Sequence, residues 1–591
     1  MLLRFLASAL ITPLAFSILA TSAAQDPEQP NVVIMLVDDA ALMDFGAYGG
    51  EALTPNIDML AAHGAMFTQY RTSPLCSPSR AMLLTGMDNH LTGIATIPEV
   101  LPAEHVDQPG YSMSLEPGVL TLADRLRPQG YRTLMTGKWH MGSGTGDLPS
   151  DHGFDRSFAL DASGADNWDD KSYMPFYHDA PWYEDGKAAA LPDEFYSSEF
   201  IVDKMISYLG SADSDADKPF LAFLGFQAIH IPVQAPKHFT DKYDGVYDRG
   251  WHVLRTERHE KAMALGLVPQ GAALAPMPEG SRIWSELSDV DRALYTARME
   301  VNAGMLEAMD HHIGRLIEHL KQTGEYENTI FVITSDNGPE HNRGDNDSRL
   351  ALWMRFNGYH VGLDGMGERG SWGFIGPEWA NAAASPGALY KFYTAEGGIR
   401  APLVMSGPGI APQRIDSMAM VSDVAPTLID MIGPSGAMPD GKPMTGRSLL
   451  PVLTGEQERI YAADDAIGME VSGNSALYKG DFKITRTMPP VGDTTWHLYN
   501  IAEDPGETRN LADTLPDTKA ELIADYQAYA DRVGVQEMPV GYDSSVQIEA
   551  NTRAKLQKRY GWVLIVIGLV LLALLYGLWR VIRHFLIPRS A

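Results

Sequence analysis

Cys76 is the only cysteine in a chain of 591 residues, so it cannot close an intramolecular disulfide. It stands in the run Leu75-Cys76-Ser77-Pro78-Ser79-Arg80-Ala81-Met82-Leu83-Leu84-Thr85-Gly86. Ser77 or Ser79 can cap a helix running toward Thr85, with Pro78 tolerated in its first turn. That puts Cys76 at the positive end of the helix, where an anion is stabilised. Arg80, one turn away, offers a planar donor fork suited to a tetrahedral oxyanion. On these residues alone the chemistry is that of a low-pKa thiolate. An inert buried thiol and an intermolecular bridge are the plainer readings of a lone cysteine.

Three further groups carry chemistry. Asp38 and Asp39 are adjacent, and Asp336-Asn337-Gly338 lies far along the chain. Together they supply three carboxylates and an amide oxygen, a hard-oxygen set suited to calcium or magnesium. Taken singly, each reads equally well as a polar turn. Lys138 and His140 stand two apart, so an extended backbone would project both from one face. His230 follows an apolar run, and the plain reading of it is a satisfied core histidine.

The elements that must position these groups are legible from hydropathy. Residues 31–37 (NVVIMLV), 131–137 (YRTLMTG), 219–226 (PFLAFLGF) and 329–334 (TIFVIT) are apolar and of strand length. Each runs into polar residues: Asp38 and Asp39, Lys138 and His140, His230, and Asp336 and Asn337. Near-continuous apolar runs mark strands covered on both faces. Helix-like stretches at 56–64, 79–84, 121–130 and 301–322 alternate with them. The expectation is an α/β fold with a large, mainly parallel sheet sandwiched by helices. In such sheets ligands bind beyond the carboxyl ends of the strands, and four strands here carry polar groups there. Beyond about residue 435 Pro and Gly cluster. Residues 477–484 and 496–499 then read as antiparallel strands and 517–533 as a helix, so residues 436–545 are expected to form a small α+β domain.

The run Cys76-Ser77-Pro78-Ser79-Arg80, with Gly86 following, resembles the sulfatase signature C-x-P-x-R, and the similarity extends from about Asn31 to Val533. It is nearest in character to bacterial arylsulfatases and alkylsulfatases. The resemblance implies an alkaline-phosphatase-like fold over residues 31–435. It also implies oxidation of Cys76 to formylglycine by a formylglycine-generating enzyme, and one calcium ion bound by Asp38, Asp39, Asp336, Asn337 and residue 76. Gly137-Lys138-Trp139-His140 resembles the family's G-K-W-H, His230 its third strand-end histidine, and Lys391 the lysine preceding its G-G-x-R motif (Gly397-Gly398-Ile399-Arg400). Without that match Lys391 would read as solvated surface. The implied reaction is hydrolysis of an aryl or alkyl sulfate ester. Arg80, Lys138 and Lys391 would neutralise the sulfuryl group, with Lys138, His230 and Lys391 binding substrate. Asp336 would serve as base, His230 or Lys391 as leaving-group acid, and His140 would take the proton that restores the aldehyde. A phosphonate or phosphate diester hydrolase on the same scaffold is the nearest alternative, and an inactive membrane-tethered binding protein a more distant one.

Composition sets outer limits. The 46 basic and 75 acidic residues give a net charge of −29, which argues against a nucleic-acid partner and repels anionic substrates at long range. Arg4, the apolar run 5–20 and the small residues 21–24 read as a secretory signal. Residues 561–579 are uncharged and apolar. At about 1.5 Å per residue they nearly cross a ~30 Å hydrocarbon core. The expectation is an exported catalytic domain, a linker at 546–560, a transmembrane helix at 561–579 and a short cytoplasmic tail at 580–591. In a Gram-negative cell the domain would lie on the periplasmic face of the inner membrane. Six aromatics between Pro339 and Ala388, namely Trp353, Phe356, Tyr359, Trp372, Phe374 and Trp379, read singly as added core and as a group as candidates to line a pocket for the alcohol portion.

Overall fold

The computed structural model describes residues 29–210, 218–344, 348–433 and 436–586. The expected signal segment 1–24 and residues 587–591 of the expected tail lie outside these. The central element is a sheet of ten strands, in the order Gln413–Ile415, Ala65–Phe67, Leu403–Ser406, Thr329–Ser335, Asn31–Val37, Phe220–Gly225, Arg132–Lys138, Arg156–Leu160, Trp182–Glu184 and Lys187–Ala189. The five strands from Thr329–Ser335 to Arg156–Leu160 are mutually parallel. Leu403–Ser406 on one side and the last two strands on the other run antiparallel to their neighbours. The sheet is therefore mixed at its flanks and parallel where it carries chemistry.

Period-two alternation divides the buried side chains between two cores. Val33, Met35, Val37, Leu224 and Ile333 pack with Val301, Met305 and Met309 of the long helix Asp289–Thr323 and with Ile201 and Met205 of the helix Ser197–Leu209. Val32, Ile34, Leu36, Phe223 and Val332 face the other way, onto Ala81 and Leu84 of the helix Cys76–Thr85 and Val424 and Leu428 of the helix Val424–Ile432. Both faces are covered, which is why these strands read as unbroken apolar runs.

Register brings the carboxyl ends of the parallel strands to one edge. Val37 lies opposite Ser335, Leu36 opposite Gly225, and Gly137 opposite Gly225. Gly225 permits this closeness, because a Cβ there would sit 2.4 Å from the Lys138 carbonyl oxygen and 3.2 Å from Arg80 Nη1.

The smaller domain is a four-stranded antiparallel sheet (Ile467–Val471, Asn474–Lys479, Phe482–Arg486, Trp496–Asn500) covered by the helix Pro516–Val533. Its core holds Leu477, Ile484, Leu498, Leu522 and Tyr526. Leu449, Val452 and Leu453 pack instead into the core of the large domain, so the small sheet begins well after residue 436. A buried charge cluster ties the two domains. Glu396 accepts from Arg71 at 2.9 Å and from Lys483 at 3.0 Å, and Lys483 also pairs with Glu507 at 2.8 Å.

Two expectations change. The stretch 546–560, expected as a linker, belongs to one continuous helix, Ser544–Leu586, whose side chains from Ile565 to Ile582 are largely exposed. Of the six aromatics that read singly as core and together as a pocket lining, Trp372, Phe374, Trp379 and Tyr359 are core residues, as the single-residue reading has it, and Phe356 is exposed to 82%. Trp379 packs with Trp251 and Trp284 at ring-centroid distances of 5.7 and 5.6 Å. Trp372 and Tyr359 instead brace the loop at Ser172 and Tyr173 from within the core, donating to the Tyr173 carbonyl at 2.9 Å and to the Ser172 carbonyl at 3.1 Å respectively. Truncating Trp379 to Ala is expected to cost about 3–5 kcal/mol, read as a lower urea midpoint at unchanged slope.

Candidate active site

Cys76 is the first residue of the helix Cys76–Thr85, whose N-cap position is Leu75. Neither serine caps it. Ser77 Oγ donates to the His140 carbonyl at 2.6 Å, and Ser79 Oγ to the Ser73 carbonyl at 3.0 Å. The serines thus fasten the helix to neighbouring loops. Burial, with Asp336 nearby, pushes the Cys76 thiol well above its ordinary value against the pull of Lys138 and Lys391. The low-pKa thiolate expected from the helix terminus is absent, because burial and neighbouring carboxylates outweigh the helix dipole. As a thiol this side chain is a poor nucleophile.

Asp38 and Asp39 follow the strand Asn31–Val37 directly. Adjacent strand residues point to opposite faces, so both carboxylates can reach one ion only if the chain turns here, and it does, with Asp39 at φ 68°. Ligand atoms of Asp38, Asp39, Cys76 and Asp336 all lie within 4.8 Å of one another, and all four residues are buried. Asp336 Oδ1 accepts the Asp39 backbone N–H at 3.1 Å. Asn337 Nδ2 donates to Asp39 Oδ1 at 2.6 Å. Cys76 Sγ stands 3.7 Å from the same oxygen.

Cations surround this cluster. Lys138 Nζ reaches Asp38 Oδ2 at 2.6 Å. Lys391 Nζ lies 2.8 Å from Asp39 Oδ1 and 2.9 Å from Glu340 Oε2. Arg80, fully buried, places Nη2 2.9 Å from Asp336 Oδ2 and donates from Nη1 to the Lys138 carbonyl at 2.9 Å. Arg80 therefore ties Asp336 to the end of the Lys138 strand through Nε and Nη1, while Nη2, though beside Asp336, has no hydrogen-bond partner among the described residues. His230 Nε2 faces Asp39 at 3.9 Å, while Nδ1 sits 2.6 Å from the Ile231 carbonyl. That bond assigns the proton to Nδ1 and leaves Nε2 with a free lone pair.

His140 departs from the extended geometry expected of it. Lys138 ends its strand, and His140 has φ 56°. The side chain is buried with no hydrogen-bond partner for either ring nitrogen among the described residues. Burial and the charges of Lys138 and Arg80 push it well below its usual range, so it is neutral. Burial and the same kind of neighbours, Lys391 and Lys138, depress His230 too.

Glu340 was invisible to sequence reasoning. Its only signal is its position three residues after Asn337, in a loop without periodicity. Ser335 was also missed: its hydroxyl accepts the Ala40 N–H at 2.8 Å and donates to the Asn337 carbonyl at 2.9 Å, bracing both acidic turns. Tyr173 meets His230 edge-on at 5.1 Å.

The electrostatics of the cluster favour one more cation. Four carboxyl groups (Asp38, Asp39, Asp336, Glu340) face three cations (Arg80, Lys138, Lys391), with both histidines neutral. Burial pushes Asp39 up to about 8 against the pull of Lys391, and raises Asp336 as well. Asp38 ends lower than usual, because Lys138, Arg80 and Lys391 outweigh its burial. Asp38 Oδ1 and Asn337 Oδ1 are buried oxygens without a hydrogen-bond partner among the described residues. Buried acceptors are rarely left so. A hard divalent cation is the chemistry this oxygen set fits.

Residues 30–434 match the family model for Sulfatase. The chain is 36% identical over 438 residues to an arylsulfatase of Klebsiella aerogenes, covering 73% of this chain and 91% of that one. It is 32% identical over 539 residues to an uncharacterized sulfatase of Schizosaccharomyces pombe, covering 87% and 96%. Among solved structures, the PsFucS1 sulfatase of a Pseudoalteromonas species superposes with TM-score 0.56 at 20% identity, covering 87% of this chain and 92% of that one. The buried cluster at the strand ends therefore lies within the matched region, and the chain belongs to the sulfatase family as a sulfuric ester hydrolase that splits sulfate esters.

Proposed function

We propose that this chain hydrolyses aryl or alkyl sulfate monoesters at residue 76, with formylglycine in place of the cysteine and one calcium ion beside it. The observation that carries this reading is the buried set of Asp38, Asp39, Asp336 and residue 76 within 4.8 Å. A neutral thiol there is a poor nucleophile, whereas a hydrated formylglycine supplies a hydroxyl. Asp38, Asp39, Asp336 and Asn337 would hold calcium, which adds positive charge where a sulfate oxygen binds. Two positive charges from the ion and one negative charge from a sulfate monoester bring the four-carboxylate, three-cation cluster to neutrality. The name of the Klebsiella relative, arylsulfatase, favours the same substrate class.

The side chains divide the remaining work. Lys138 and Lys391 are the two ammonium groups facing residue 76 and would each take a sulfate oxygen. Arg80 fixes the carboxylates and the end of the Lys138 strand, so it positions and does not touch substrate. Burial would favour neutral Lys391, but Asp39 and Glu340 outweigh it and hold its proton firmly. With His230 Nε2 unprotonated, Lys391 is the group that carries a proton for the leaving oxygen, and His230 orients it through Asp39. His140, neutral and unbonded, would accept the proton released when the aldehyde is restored.

Three measurements check this. Peptide mass spectrometry across residue 76, on protein from its native host, is expected to show a mass about 18 Da below that of cysteine, the difference between CH₂SH and CHO; an unmodified thiol in active protein would sink the formylglycine reading. Calcium added back after chelation is expected to raise the thermal midpoint of the wild type, because binding to the folded state stabilises it, and to leave the midpoint of Asp38→Asn unmoved. For Lys391→Ala, turnover of an alkyl sulfate is expected to fall about 10²–10⁴-fold, the range of general-acid catalysis, and turnover of 4-nitrophenyl sulfate, whose leaving group needs little protonation, much less. Equal losses on both esters would move the acid role away from Lys391.

A further inference from the structure

The helix Ser544–Leu586 does more than leave the catalytic domain. Its first turns are docked on it. Just ahead of the helix, Tyr542 OH donates to the Val100 carbonyl at 2.9 Å. Asn551 Nδ2 donates to the carbonyls of Glu99 at 3.0 Å and Leu101 at 2.9 Å. Glu549 pairs with Arg349 at 2.8 Å. Lys555 Nζ lies 3.6 Å from the ring centroid of Phe176 and 5.5 Å from that of Tyr177.

These contacts lead to the active site in two steps. Tyr177 OH donates to Glu99 Oε1 at 2.6 Å. The same loop carries Tyr173, whose ring abuts His230 and whose hydroxyl is 3.0 Å from Ser163 Oγ. The helical stalk is thus the outer layer of the wall that holds His230.

Beyond Lys555 the helix continues to Trp562, a rise of about 10 Å at 1.5 Å per residue. There an apolar, exposed run begins that is long enough to cross a membrane. A second apolar surface lies beside the stalk. The helix Ser348–Phe356, tied to it through Arg349, exposes Leu352 to 56% and Phe356 to 82%. Residues four apart share one helix face.

We infer that the anchor helix fixes the active site close above the bilayer, and that the substrate is an amphiphilic sulfate ester whose apolar portion stays in that bilayer. A flexible tether would let the domain roam, whereas a docked helix sets both height and orientation. The net charge of −29 works against gathering free anionic esters from solution. An ester partitioned into lipid gains about 0.8 kcal/mol per buried CH₂ and reaches the site by lateral diffusion. This inference rests on the sulfate-ester reading and on the apolar run being a membrane span.

The test uses the full chain in phosphatidylcholine vesicles, with octadecyl sulfate dissolved in the bilayer and 4-nitrophenyl sulfate in the water. Inserting seven helix-forming residues after Lys558 lifts the site by about 10 Å on nearly the same helix face. The expected result is a loss of about 10-fold or more on octadecyl sulfate with 4-nitrophenyl sulfate unchanged. The surface variant Leu352→Ser/Phe356→Ser is expected to lose activity on the lipid substrate alone. Equal turnover of octadecyl sulfate by wild type and both variants would overturn the inference, as would wild-type protein that splits only the soluble ester. Wild-type protein that splits neither would instead strike at the sulfate-ester reading itself.

Discussion

The structure depends on a crowd of buried carboxyl groups at one edge of the sheet. Asp38, Asp39, Asp336 and Glu340 are taken out of water together, a costly arrangement unless the charges are paired and hydrogen-bonded. Arg80, Lys138 and Lys391 answer most of that charge, each from a different segment. Parallel strands in register, a helix starting at residue 76 and a loop at residue 391 must all arrive for the cluster to be tolerable. The same incompleteness fits the proposed use of the site, since a cluster short of positive charge favours a divalent cation.

Each cationic group has a different structural duty. Arg80 is planar, always charged and sealed behind the carboxylates, where it joins the helix Cys76–Thr85 to the ends of two strands. Lysines, compact and carried on flexible stems, occupy the side facing residue 76. An Arg-to-Lys exchange at position 80 would keep the charge and lose the two-ended bridge. The neutral histidines complete the division, since a neutral imidazole can accept a proton that a charged one cannot.

The remote parts of the molecule serve the same cluster indirectly. The small domain is pinned beside the loop carrying Lys391 by the Arg71–Glu396–Lys483 network, only five residues from that lysine. The stalk of the C-terminal helix braces the loop that supports His230. Neither element touches the strand-end carboxylates, yet both fix loops whose displacement would leave a buried charge uncompensated.

Sequence alone determined much of this. Runs of Val, Ile and Leu ending in Asp, Lys or Ser identified the strands and the edge where chemistry lies, because strands buried on both faces leave no room for polar residues until they emerge. The motif around Cys76 and the companions Lys138, His140, His230 and Lys391 pointed to the reaction through their resemblance to the sulfatase signature, since singly they read as a lone thiol, core histidines and surface lysines. Tertiary structure decided what depends on distance and burial. It turned the expected thiolate into a neutral thiol, since desolvation at residue 76 overrides a helix terminus. It tied Arg80 to Asp336 and to the Lys138 carbonyl and placed Trp372, Phe374 and Trp379 in the core. It added Glu340 and Ser335, and it replaced an expected linker with a docked helix. Periodicity reports which face of an element is covered, but it carries no information on which distant loop will cover it.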